Sequence, residues 1–128
     1  MSRRLGGTLR TANEALVASI LPALTGAARY QALMVARVLA IGAREAESGE
    51  LAERQELSGI ELLIPERAMA AGDALDNQRR ALCSEIRNGR FDAAGPAQDA
   101  LLEHLAVTTE NRLRIDNPKV LGTQGEQT

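Results

Sequence analysis

The chain has 128 residues, a net charge of −2, one Cys, one His, one Tyr, one Phe and no Trp. That length corresponds to one domain, and burying roughly two thirds of the unfolded chain's surface makes disulfides or metals unnecessary for folding. The lone Cys83 excludes an intramolecular disulfide, the charge and the scarcity of aromatics argue against a dedicated nucleic-acid face, and no apolar run approaches the ~20 residues of a membrane span.

A single free thiol fits a reducing cytoplasm. The opening MSRRLGG is expected to be frayed, giving a disordered segment over 1–7 and no secretory signal. Thr8 or Thr11 then caps a first helix, Thr11 having capping-box spacing to Glu14. Leu16, Ile20 and Leu24 form its apolar face, and Pro22 kinks or stops it near Ile20 to Leu21. A second helix is expected from Gly26 or Ala27 to about Ser48. Tyr30, Met34, Val38 and Ile41 lie on one face, Val35 and Leu39 on another, with a low ridge of Ala32, Ala36, Ala40 and Ala43. A helix apolar nearly all round is expected to be central and buried.

Gly49 is the natural left-handed end of that helix. A third helix follows over about Glu50 to Ile64, with Leu51, Leu57, Ile60, Leu63 and Ile64 available to the core. Asp73 is the N-cap candidate for a fourth, reaching about Asn88 with Leu75, Leu82 and Ile86 inward. Residues 88–97 read as a loop. A last helix starts near Pro96 and ends near Asp116, with Asn117 in the left-handed cap conformation and Pro118 blocking extension. The fold class expected is all-α. It is an antiparallel bundle of four to five helices around a long buried central helix, forming a single domain over 8–121 with a disordered polar tail over 122–128.

Charge is segregated: residues 1–44 hold six Arg and one Glu, whereas 45–66 hold seven Glu and one Arg. Such blocks favour packing of complementary segments. Arg29, Arg37 and Arg44 share one strip of the central helix and need anionic partners, either internal carboxylates or a bound phosphate or carboxylate. Asp116 is unfavourable at a helix C-terminus. It is expected to be compensated by an Arg of the strip or by Arg112, as a latch tying the last helix to the central one. His104 lacks a second ligand at metal spacing, and Cys83 lacks a His-plus-acid arrangement; both are expected to be structural. No phosphate-binding, nucleophile-elbow or zinc-protease motif is present, which lowers the expectation of an enzyme; no cofactor or metal is assigned.

Three stretches together resemble the marks of a short, uncharacterised bacterial all-helical domain of unknown function. They are LPALTGAARYQALMVARVLAIGARE (21–45), EIRNGRFD (85–92) and RLRIDNPKV (112–120). At Arg37 or its neighbour the chain departs from that pattern, in which Asn is more frequent. The matching positions are Arg29, Tyr30, Arg44, Glu45, Asp116, Asn117 and Pro118. Genes of that family often lie beside, or are fused to, an aminoglycoside-phosphotransferase-like kinase, near acyl-CoA dehydrogenases. The resemblance implies an accessory role in acyl-CoA-related small-molecule metabolism and names no activity. The functional expectation is therefore a non-catalytic cytoplasmic interaction protein, self-associating and partnered by the kinase-like protein. The alternative is a small-anion binder or weak enzyme using Arg29, Arg37 and Arg44. In either case Tyr30, Glu45, Arg112, Asp116, Asn117 and Pro118 form the structural latch.

Overall fold

A computed structural model describes residues 2–67 and 75–125. The regular structure of the described residues is helical, with no strand: α1 (Ser2–Ala15), α2 (Gly26–Leu63), α3 (Leu75–Arg87), α4 (Pro96–Asp116) and α5 (Pro118–Gly125). The all-α bundle expected from propensity and period is what the chain forms. Its contacts group into two compact units, one of residues 1–50 with 113–128, the other of residues 51–112.

In the first unit the segment expected to be frayed is helical from Ser2. Gly6 explains why it packs. It is buried, and a Cβ there would fall 3.1 Å from the Ala43 carbonyl and 2.6 Å from Glu47 Cγ. Glycine thus lets α1 lie directly on the α2 backbone. Arg10 fastens the contact with both Nη2 bonds to Glu47, at 2.9 and 2.8 Å. This is one pairing of the basic and acidic blocks. Because α1 starts so early, Thr8 and Thr11 are not caps; their hydroxyls donate to the carbonyls of Arg4 and Gly7, each at 3.0 Å.

Pro22 ends this run in a graded way. Residues Leu16–Ile20 widen into a π turn closed by Leu21 N–H to the Leu16 carbonyl, and Leu21–Ala23 tighten into a 3-10 turn. Leu24 is extended (φ −103°, ψ 150°), and Gly26 enters α2 with φ 59°. The missing N–H of Pro22 and its ring account for the change of winding.

α2 does not stop at Gly49. It runs 38 residues, about 57 Å at 1.5 Å per residue, and merges the two helices expected on either side of that glycine. Gly49 is buried and helical, and the Glu45 carboxylate lies over it. A helical glycine costs only about 1 kcal/mol relative to Ala, which packing offsets. The face of α2 buried in the first unit is the alanine ridge: Ala32, Ala36 and Ala43 are buried, with Leu21 and Ile115. Tyr30, Met34 and Val38, expected inside, are exposed, so this half of the helix is not the buried core element expected of it.

The second unit has a conventional core of Ile60, Ile64, Leu82, Phe91 and Leu101, with Leu63, Leu75, Ala81 and Ile86 packed against it. Ile60 and Ile64 are fully buried, each contributing roughly 1.5–3 kcal/mol of transfer free energy. Leu51, expected to be available to the core, is exposed, as are Leu102 and Leu105. Phe91 comes from the segment read as loop; Gln98 holds that loop by donating to the Phe91 and Asp92 carbonyls, both at 3.2 Å. Arginines downstream take up the acidic block: Arg79 grips Glu56 at 2.5 and 2.7 Å, and Arg90 bonds Glu66. The Glu56 carboxylate raises the pKa of Arg79 further above its already high ordinary value, opposed by desolvation. The N-cap proposed at Asp73 lies outside the described residues.

At the end of the chain, Pro118 opens α5 instead of closing the structure, and Asn117 is not left-handed. Proline suits the first turn of a helix, where its missing N–H is no loss. The part of the expected tail from Gly122 to Gly125 is helical; 126–128 lie outside the described residues.

Candidate functional site

The alanine ridge of α2 ends in charge. Arg37 and Arg44 are seven residues apart, two turns along one side of the helix, and both line a cleft of about 410 Å³. Ala36 and Ala40 form its floor, while Asp116, Asn117, Pro118 and Lys119 form its far wall. The small side chains of the floor leave the space that the longer wall residues bound.

Arg44 is half-buried and fixed. Its Nε donates to the Ile115 carbonyl at 2.7 Å, satisfying one of the carbonyls left over at the C-terminal end of α4. Ile115 itself is buried beside it. This is a tie between α2 and the end of α4, made by a guanidinium and a backbone oxygen. Arg37 is exposed and makes no hydrogen bond or ion pair among the described residues. Asp116 and Lys119 each have interactions of their own.

The discovery of α5 changes the meaning of Asp116. One residue separates it from Pro118, so it stands just before the start of a helix as well as at the end of one. A carboxylate is favourable there, facing the positive end of the α5 dipole. The apparent violation at the end of α4 therefore has a local compensation that depends on an element not expected from the sequence.

The remaining expected residues do not join this cleft. Arg29 Nη1 reaches the Leu21 carbonyl at 3.4 Å and braces the Pro22 turn. Tyr30 is two-thirds exposed (66 %). Glu45 lies along the helix over Gly49, and Arg112 closes the second unit. Lys119 is not among the residues expected from the sequence, because its relevance depends on α5; Pro118 as a helix-opening residue is the signal that points to it.

Two further features frame the site. Away from the alanine ridge, α2 presents Tyr30, Met34 and Val38 to solvent, flanked by Leu33 and Val35, at exposures from 45 to 66 %. In the second unit a hollow of about 520 Å³ is lined by Gln55, Gly59, Leu62, Glu103, His104 and Val107, among others. His104 sits against Gly59 so closely that a Cβ there would collide with the imidazole. Burial lowers the His104 pKa, with Glu56 opposing. Cys83, expected to be structural, is exposed. Among the described residues no group of three or more His, Cys, Asp or Glu is placed to hold a metal, and no helix is long and apolar enough to cross a membrane.

No curated protein and no solved structure matches the chain. A family model does, over residues 22–120, a span that includes Arg37, Arg44, the exposed stripe of α2 and the wall from Asp116 to Lys119. By that match the chain belongs to the family described as domain of unknown function DUF6285.

Proposed function

We propose that this protein is a non-catalytic helical accessory protein of the bacterial cytoplasm. Its partner is a phosphotransferase-like kinase of acyl-CoA-related small-molecule metabolism. The observation that carries the proposal is the α2 stripe. Five large apolar residues within nine positions, Tyr30 to Val38, are exposed; Tyr30, Met34 and Val38 lie on the side of the helix away from its buried alanines, and Leu33 and Val35 flank them. Contiguous apolar exposure of that kind marks an interaction surface. Arg37 stands at the edge of the same stretch, so the complementary surface is an amphipathic helix with an apolar face edged by a carboxylate. The same stripe pairs two copies of the chain when the partner is absent.

Native mass spectrometry of the protein, alone and co-expressed with the kinase-like protein, tests this. A homodimer in the first sample and a stable hetero-complex in the second are expected. A monomer in both samples at micromolar concentration sinks the proposal.

A further inference from the structure

Beyond the docking role, we infer that the cleft bounded by Arg37, Arg44 and Lys119 binds the phosphate group of a small phosphorylated metabolite. Three cations and one carboxylate line it, so its field favours an anion. Arg37 brings a guanidinium with no other engagement among the described residues. Arg44 brings one already held in place through its Nε bond to the Ile115 carbonyl, leaving its terminal nitrogens to a ligand and little side-chain freedom to lose on binding. Pro118 and Lys119, the first residues of α5, are also in the wall, so the positive end of that helix adds to the same field.

The distribution of donors selects among anions. A planar carboxylate is best satisfied by one guanidinium fork. A phosphate monoester carries three acceptor oxygens and close to two charges, and suits donors arriving from two helices. The Arg44 fork is also partly spent, its Nε edge being closed by Ile115. The cleft is larger than phosphate alone requires, and the floor of Ala36 and Ala40 offers an apolar surface to the small organic remainder.

Isothermal titration calorimetry with inorganic phosphate, glycerol 3-phosphate and acetate, at constant ionic strength, tests the assignment. One site is expected, with glycerol 3-phosphate bound at least as tightly as phosphate and acetate much more weakly. Arg37→Ala should weaken phosphate binding by about tenfold or more, as loss of a charge-assisted pair implies. The unliganded melting temperature should stay unchanged, since the Arg37 side chain is exposed and has no partner among the described residues. Lys119→Ala should weaken binding several-fold. Arg44→Ala is a poor probe, because it also releases the Ile115 carbonyl. No saturable binding by about 10 mM phosphate, a free energy too small for a built site, overturns the inference. So does an Arg37→Ala variant that binds phosphate as the wild type does, or acetate binding as tight as phosphate. Arg37-dependent binding to phosphatidic-acid vesicles without binding of free glycerol 3-phosphate overturns it in favour of a lipid headgroup.

Discussion

His104 is the chain's single imidazole, and burial holds its pKa below the ordinary 6.5, with partial relief from Glu56. A base whose folded-state pKa is depressed stabilises the fold fully above 6.5, and that contribution is lost as pH falls through the folded value. Lowering pH from about 7 to about 5 should therefore reduce the melting temperature, and the loss should be smaller in His104→Gln, as followed by circular dichroism. Asp99 and Glu103 line the same hollow and are present in both proteins. Gly59 belongs to the same contact. In an open helix, Gly→Ala stabilises by about 1 kcal/mol, but here the new methyl meets the imidazole. Gly59→Ala should destabilise by about 1–2 kcal/mol, an overpacking cost, and the Gly59→Ala/His104→Ala pair should be markedly non-additive in urea unfolding. Sequence alone marks Gly59 as a weak point in a helix; the approach of His104, 45 positions away, supplies its reason.

At the scale of elements, the punctuation of the chain proved uneven. Pro22 does what its chemistry requires, and the graded π and 3-10 turns deliver the backbone to Gly26 at φ 59°. No neighbour lies within 4 Å of a Cβ placed on Gly26, so the requirement there is conformational and not steric crowding. Gly26→Ala should cost about 1 kcal/mol and Gly26→Asn less, since Asn tolerates the left-handed region; thermal melts of the three proteins would show the order. Gly49, by contrast, is helical and carries no such consequence, because helical φ is open to glycine as to any residue. Pro118 was legible as a helix boundary but not as the beginning of α5, since one proline both stops a preceding helix and suits the start of the next.

For the whole molecule, the matched family span draws residues from both compact units, while the whole of α1 precedes it. The feature with the widest consequence is the exposed α2 stripe, and it makes a clean surface for mutation. Val38 is 64 % exposed, so Val38→Glu should leave the monomer's melting temperature within about 0.5 kcal/mol equivalent, as surface changes do. If the stripe is the docking face, the same change should lower complex yield in native mass spectrometry by about tenfold or more, since it places a charge in an apolar contact. An unchanged yield would move the interface elsewhere.

Composition and hydrophobic period were sufficient to establish that the described chain is helical, because Ala, Leu, Arg and Glu in a 3.6-residue pattern leave no competing regular structure. They also placed α4 and the end of α3 to within a residue or two, and put Arg37 and Arg44 on one strip, since helical spacing is a local property. They did not settle which face of α2 is buried. The helix is apolar nearly all round, so its period has no preferred direction; the close approach of Gly6 is made on the alanine side, at the Ala43 carbonyl. Nor did spacing bring Arg37 and Arg44 to the wall of Asp116–Lys119, which requires the end of the chain to return beside α2. That return is held by a guanidinium on a carbonyl oxygen and a buried isoleucine, contacts between residues 71 positions apart that no local pattern encodes.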